Sequence, residues 1–188
     1  MKRRVAGFAV NALLRGSIAA MLVHVLRHPD DPRYAGKAIP IRNLIIVGGL
    51  SLVFPALYAS KRTRRWKRYP VWPDNLYLSI FWLDMLGNYL DLYDTYLNFD
   101  LIPHFHGTGA LAGVLHSALG LKGWRAIGVA NAFHWALEAQ EIATDVFFGT
   151  HNVRGAWDTL GDLSAGLLGT IAYVGPAILA SLREDDPA

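Results

Sequence analysis

The run WDTLGDLSAGLLGTIAYVGPAILASL, residues 157–182, carries Asp158 and Asp162 near its start and no charged residue from Leu163 to Leu182. The hydrocarbon core of a bilayer is about 30 Å thick, and one helix needs roughly 20 apolar residues to cross it. The length and composition of this run therefore predict a membrane-spanning helix. Because its two acids are four residues apart, they would share one face at one end of that helix.

The same reasoning divides the rest of the chain into five further apolar stretches. They are residues 5–26, 39–60, 71–93, 101–121 and 124–148. Arg15 and the lack of a clear small-residue cleavage site make the first stretch unlike a signal peptide. The sequence thus predicts one all-α domain over residues 1–188, a polytopic integral membrane bundle of six transmembrane helices.

The composition agrees with a chain whose main solvent is lipid. Of the 188 residues, 53% are hydrophobic and only 18% are charged, whereas a soluble domain has about 25% charged residues. The absence of cysteine excludes disulfides, thiolate metal sites and cysteine nucleophiles. The net charge is +3, but the basic residues border apolar stretches. We therefore expect membrane lipids as partners and no nucleic acid.

Lysine and arginine also predict the orientation of the bundle. Short loops rich in these residues stay on the cytoplasmic side of a membrane. The densest cluster, residues 61–68, separates the second stretch from the third, and a smaller one precedes the first. This distribution predicts that both termini are cytoplasmic. Arg15 lies within the first stretch, and because a guanidinium facing lipid is unfavourable, we expect it to point towards the acidic residues described next.

Acidic residues, histidines and one asparagine fall on single faces of several stretches. Each residue of an α-helix advances by about 100°, so residues three, four or seven apart share a face. The groups with this spacing are Asp84, Asn88 and Asp91 in the third stretch and His134, Glu138, Glu141 and Asp145 in the fifth. His104 begins the fourth stretch. The predicted topology places these groups, with Asp158 and Asp162, near the outer surface.

Several carboxylates with few nearby cations cannot neutralise one another inside a bilayer. Either most of them are protonated or a divalent metal ion lies among them. Histidine and acids on facing helices build the metal sites of helical bundles, and such ligands suit Zn, Mn or Fe, or Mg or Ca where histidine is not a ligand. The predicted ligands are His104, His134, Glu138, Glu141, Asp158 and Asp162. Asp84, Asp91 and Asp145 are predicted to act as catalytic bases or to support the ligands.

Small residues four apart allow helix backbones to approach closely. Gly109 and Gly113 in the fourth stretch have this spacing, as do Gly161, Ala165 and Gly169 in the sixth. They predict helix packing contacts.

One combination of residues resembles a known family. Its members here are Asp100, His104, Phe105 and Gly107, then Glu138, Glu141, Asp145, Phe147, Phe148 and Gly149, and finally Trp157, Asp158, Thr159 and Asp162. Over residues 74–175 the chain resembles the small bacterial inner-membrane proteins typified by YjdF of Escherichia coli, which are loosely related to the VanZ-like proteins. The resemblance implies a multi-pass helical protein of the inner (plasma) membrane with a shared acidic site. It implies no particular reaction.

Three functions fit these features. The first is a metal-dependent membrane enzyme, a hydrolase or a lipid-modifying enzyme, that acts on a lipid or lipid-linked substrate at the outer leaflet. The alternative is a cation or proton transporter in which the acids form a relay. A transport path must reach both faces, however, and the predicted acids stop near mid-membrane. A further alternative is a homo-oligomer or a subunit of a larger membrane complex.

Overall fold

The computed structural model describes residues 2–34, 37, 39–63 and 65–184. Over these residues the protein is helical and contains no strand, which confirms the all-α prediction. Arg64 of the basic cluster, and residues 1 and 185–188 at the predicted cytoplasmic termini, lie outside the described residues.

Five long helices cover five of the six predicted stretches. They are α1 (Lys2–Arg27), α4 (Val71–Tyr89), α6 (Leu101–Ser117), α7 (Gly123–Phe148) and α8 (Ala156–Glu184). Three short helices, α2 (Ile39–Arg42), α3 (Val53–Ala59) and α5 (Leu92–Thr95), a 3-10 turn (Pro32–Tyr34) and a π-helical segment (Asn43–Gly49) complete the described elements.

The prediction of one continuous helix over residues 39–60 is wrong. The described chain there runs from α2 through the π-helical segment, and a turn separates that segment from α3. Gly48 and Gly49 are the last two residues of the π-helical segment, shortly before the turn at residues 51 and 52, and glycine is the weakest helix former after proline. Pro55 lacks an N–H donor and is tolerated in the first turn of α3, where backbone N–H groups have no intrahelical partner.

The prediction that Asp91 continues the polar face of α4 is also wrong. The helix ends at Tyr89, and Asp91 has a left-handed backbone with φ 56°. Aspartate adopts this conformation more readily than most residues because its short polar side chain can bond locally. Asp91 therefore lies in the turn between α4 and α5, off the face shared by Asp84 and Asn88.

Two compact units are distinguished, residues 1–97 and residues 98–188. In the first unit α1 packs against α4. Its apolar core consists of Ile18, Met21, Val47, Leu78 and Met85. In the second unit α6, α7 and α8 all contact one another, and Ala112, Ala130 and Val174 are buried between them.

The arginine within α1 has a different partner from the one predicted. The Arg15 guanidinium contacts the Asp74 carboxylate at 2.8 Å, and the Asp74 side chain is fully buried. The Arg15 guanidinium also donates to the Asn11 side chain at 3.0 Å and to the Ser51 carbonyl at 2.9 Å. Arg15 thus points into the helices as expected, but the prediction that it faces the site acids is wrong. Its partner is Asp74, an acid near one end of the third predicted stretch.

Two more side chains complete the bonds to Asp74. The Asn11 amide donates to one carboxylate oxygen at 2.7 Å, and the Tyr69 hydroxyl donates to the same oxygen. Burial and the hydrogen bond to Asp74 raise the pKa of Tyr69, so the phenol stays protonated and remains a donor. Asp74 is therefore a buried charge that is fully paired, which is the condition for keeping such a charge inside a protein.

Helices α6 and α8 approach at two glycines that the spacing predicted as packing residues. A Cβ on Gly169 would lie 1.9 Å from the Phe105 carbonyl oxygen, and one on Gly109 would lie 2.7 Å from the Gly169 carbonyl oxygen. No side chain fits either distance, so the two backbones are in direct contact.

We expect Gly169→Ala to destabilise the purified protein by about 1–3 kcal/mol, because an added methyl group must push α6 away from α8. Thermal unfolding in detergent measures the change. Gly128→Ala is the matched control: it lies inside α7 with nothing within 4 Å of the added carbon. There alanine is expected to be neutral or to stabilise the helix by up to about 1 kcal/mol. Equal destabilisation of both variants would contradict the close contact.

Two helices of the described chain are long and apolar enough to cross a membrane: α1 over residues 2–27 and α8 over residues 156–181. Core helices and signal sequences can have the same length and composition. The other long helices are shorter or more polar, since α6 has 17 residues and α7 carries the charged residues Arg125, Glu138, Glu141 and Asp145. The described residues therefore give two candidate spans rather than six.

Candidate metal centre

Three helices of the second unit bring titratable side chains to one place. His104 lies in the first turn of α6, Asp162 in the second turn of α8, and His134 and Glu138 in α7. Because His134 and Glu138 are four residues apart in one helix, they necessarily share a face. Both are buried, as is Asp162.

The first group of donor atoms belongs to His104, His134 and Glu138. The Nδ1 atom of His104 lies 2.7 Å from Nε2 of His134. The Oε1 atom of Glu138 lies 3.5 Å from Nδ1 of His104 and 3.3 Å from Nε2 of His134. All three atoms thus converge on one point, in an arrangement able to hold a metal ion.

The second group lies on the opposite edge of the His104 ring. Nε2 of His104 is 3.3 Å from Oδ1 of Asp100 and 3.8 Å from Oδ1 of Asp162. Asp100 precedes α6 without capping its backbone. Carboxylates at Nε2 favour the tautomer with the proton on that nitrogen, which leaves the Nδ1 lone pair directed at His134 and Glu138.

Polar atoms in the first group lack hydrogen bonds. Glu138 Oε1 and His134 Nδ1 are buried and have no hydrogen-bond partner among the described residues. One proton can bridge the two imidazoles, but it leaves the carboxylate oxygen beside them without a hydrogen bond. Buried polar atoms normally have partners, so the unpartnered Oε1 atom of Glu138 fits a site completed by a cation. The unpartnered Nδ1 atom of His134 lies on the other edge of its ring, facing Gly166.

The distances are close to those of a metal site. Metal–ligand bonds of 2.0–2.1 Å in tetrahedral geometry place neighbouring ligand atoms about 3.3 Å apart. The two distances to Glu138, 3.3 and 3.5 Å, match this value. The imidazoles, at 2.7 Å, would have to separate by about 0.6 Å. Three protein ligands with a fourth open position are typical of catalytic rather than structural zinc sites.

A glycine makes room for the central histidine. A Cβ on Gly166 would lie 2.2 Å from Nδ1 of His134 and 3.0 Å from Oγ1 of Thr108. Gly166 follows Asp162 by one turn of α8 and so shares its face. Only a residue without a side chain lets α8 approach the imidazole this closely.

Three predicted site residues of α7 and α8 lie outside the two groups. Asp145 accepts backbone N–H bonds from Asn152 and Val153 at 2.8–3.0 Å and a bond from the Thr150 hydroxyl at 2.6 Å. It therefore closes the loop that follows α7, instead of facing the histidines. Asp158 accepts the Arg154 N–H at 2.9 Å. Glu141 belongs to neither group.

Asp84 and Asp91 belong to the first unit. Asp84 forms an ion pair with Arg42 at 3.0 Å and accepts bonds from Asn88 and Tyr93. Oδ1 of Asp91 is buried and has no hydrogen-bond partner among the described residues.

Two residues of the site were not among the predicted ligands or bases. Asp100 had a usable signal, because an acid four residues before His104 can reach it once a helix forms. For Gly166 the sequence signal was weaker and consisted only of its four-residue spacing from Asp162. Neither spacing reveals that both residues lie against histidines of the metal group.

No protein-family model matches this chain, and neither a curated protein nor a solved structure is significantly similar to it. The resemblance to the YjdF-typified family stays a prediction, and the functional argument depends on the site alone.

Proposed function

We propose that this protein is a metal-dependent integral membrane enzyme that acts on a lipid or lipid-linked substrate at the outer leaflet. The observation that carries the proposal is the convergence of His104, His134 and Glu138, whose buried donor atoms include a carboxylate oxygen without a hydrogen bond.

The distribution of polar and apolar side chains supports a lipid environment. In the second unit the buried residues include Asn131, His134, Glu138, Asp162 and Thr170. The exposed ones include Phe133, Trp135, Leu137, Val146, Phe147 and Phe148. Soluble monomers rarely expose large contiguous apolar patches, whereas a bundle in lipid directs its polar groups inward. We extend this proposal to six spans, with the interrupted segment over residues 39–60 as the second, and to both termini being cytoplasmic in a bacterial inner membrane.

The ligand chemistry defines the kind of metal. Two imidazole nitrogens and one carboxylate oxygen suit Zn, Mn or Fe better than Mg or Ca. When bound, such an ion polarises a phosphoryl or carbonyl group or lowers the pKa of a water molecule. Of the side chains in the two groups, those of His104 and Asp100 are the most exposed, at 17% and 21%, whereas that of Glu138 is only 5% exposed.

The remaining carboxylates have separate tasks. Asp100 holds the Nε2 edge of His104 and thereby orients Nδ1 towards the ion, as acidic partners of metal-bound histidines do. Asp162 lies beside the same edge, at 3.8 Å, and supports the His104 ring from α8.

One observation favours the alternative of a proton relay. Asp100, His104, His134 and Glu138 form a continuous series with separations of 2.7–3.3 Å, and chains of titratable groups carry protons through membrane proteins. A bound metal would occupy the lone pairs that such a relay needs. Metal content therefore separates the two functions.

We expect the full chain, purified in detergent and equilibrated with Zn or Mn, to retain about one metal ion per chain after dialysis, because three ligands converge on one point. Elemental analysis gives the ratio. Incubation of the loaded protein with mixed phospholipid vesicles should then release a lipid product that chelation prevents. A metal-free protein that conducts protons in reconstituted vesicles would overturn the enzyme proposal and support the relay.

A further inference from the structure

A second polar feature lies in the first unit, where the start of α1 meets the start of α4. It is a cavity of about 660 Å³ lined by Arg3, Arg4, Val5, Phe8, Arg68 and Trp72. We call it the arginine cavity. All six lining residues are exposed, so the cavity is open to its surroundings.

The arginines of the cavity have no carboxylate partner among the described residues. No ion pair joins Arg3, Arg4 or Arg68 to a carboxylate of the described residues, although Arg15, Arg33, Lys37 and Arg42 all have one. The first turn of α1 contains no acidic residue. Cations at a helix N-terminus are unfavourable because the helix dipole is positive there. An anion in the cavity would relieve both the repulsion between the arginines and the unfavourable dipole.

The rest of the lining is apolar and open. Val5, Phe8 and Trp72 are 64%, 43% and 43% exposed. The Arg4 guanidinium lies 5.6 Å from the centre of the Phe8 ring, a cation–π distance. A ligand that fits this lining must carry a negative group beside an apolar one.

The local packing fixes this arrangement. A Cβ on Gly7 would lie 2.8 Å from Val71 and 3.3 Å from Trp72, so α4 begins directly against α1. The side chain of Asn75 adds a bond to the Gly7 carbonyl at 2.9 Å. These contacts hold Trp72 beside the first turns of α1, and Arg68 lies in the loop that leads into α4.

We propose that the arginine cavity binds the phosphate group of an anionic phospholipid. Guanidinium groups bind phosphate through paired, charge-assisted hydrogen bonds, and the exposed apolar side chains would contact the glycerol and the first carbons of the acyl chains. In the proposed topology the cavity is at the cytoplasmic end of α1, where anionic lipids attract basic residues. This site is independent of the metal centre.

The test measures binding of short-chain phosphatidylglycerol to the full chain in detergent, by native mass spectrometry. Phosphatidylcholine of the same chain length and inorganic phosphate serve as comparison ligands. The variant is Arg3→Gln/Arg4→Gln/Arg68→Gln. Its charge-matched control is Arg62→Gln/Arg65→Gln/Lys67→Gln, which removes three cations from the neighbouring loop and none from the cavity. Arg68→Gln alone, a loop substitution, is measured in case the triple variant fails to fold.

We expect saturable binding of phosphatidylglycerol that is stronger than that of phosphatidylcholine. The cavity variant should lose about tenfold or more in affinity and Arg68→Gln a smaller part of it, while the control stays near the wild type, because direct guanidinium–phosphate bonds are lost only in the cavity. Equal losses in the cavity and control variants would overturn the site in favour of unspecific attraction. Inorganic phosphate that binds as tightly as the lipid would overturn the lipid as occupant and indicate a free phosphate compound.

Discussion

Replacement of Glu138 by glutamine is expected to remove most of the bound metal from the purified protein. The substitution keeps the size of the side chain but removes the charge and the carboxylate oxygen that faces both imidazoles at 3.3 and 3.5 Å. Partners that only orient a ligand typically matter 10- to 100-fold in metal affinity, so a direct ligand should cost more than about 100-fold. A competition titration with a chromogenic chelator measures the affinity.

Glu141→Gln is the matched control for this change. It makes the same substitution on the same helix, three residues further along, and the sequence predicted Glu141 as an additional ligand. Because Glu141 lies outside both groups of converging donors, we expect this variant to keep its metal. Asp100→Asn should fall between the two, with a loss of about 10- to 100-fold. Equal metal loss from Glu138→Gln and Glu141→Gln, with both folded, would contradict the assigned ligand set.

Replacement of Arg15 by leucine is expected to have the largest effect on stability. It leaves the Asp74 carboxylate buried without a cation, and breaking a buried ion pair from one side costs about 3–5 kcal/mol. Thermal unfolding in detergent, followed by tryptophan fluorescence, measures the loss. Metal content of the folded fraction should be unchanged, because the Arg15 guanidinium is bonded to Asp74 rather than to a metal ligand.

Two further variants make this result specific. Arg15→Leu/Asp74→Asn removes both charges and should recover part of the lost stability, since no uncompensated charge remains. Arg27→Leu removes a cation from the exposed end of the same helix and should change stability by less than about 0.5 kcal/mol. A single Arg15→Leu variant as stable as Arg27→Leu would show that the pair contributes little. Lower stability of the double variant than of Arg15→Leu alone would show that Asp74 stabilises the fold without its cation.

The helices were predictable because their signals are local. The lengths of the apolar stretches predicted the ends of α1, α4, α6, α7 and α8 to within a few residues. The prediction of one helix over residues 39–60 was wrong because hydropathy measures apolar length and does not register where a helix is interrupted, here at residues 51 and 52. The prediction that Asp91 shares the face of Asp84 was wrong because helical spacing assumes that the helix continues past Tyr89.

The site was predictable only in part. The four-residue spacing of His134 and Glu138 guarantees that they share a face, whatever the rest of the chain does. The same spacing rule added Glu141 and Asp145 to that face. It could not show that Asp145 is bound by the backbone of the following loop, because the path of a loop depends on where the next helix is held.

The sequence by itself determined that the chain is helical, that His134 and Glu138 share a face, and that Gly109 and Gly169 are packing residues. Only the tertiary structure decided that His104 meets His134 across two helices and that Arg15 meets Asp74. The physical reason is that helical periodicity fixes directions around one axis, but not the rotation and vertical position of one helix against another. Those are set by the sum of close contacts, such as Gly169 against the Phe105 carbonyl and Gly166 against His134, and no single helix encodes that sum.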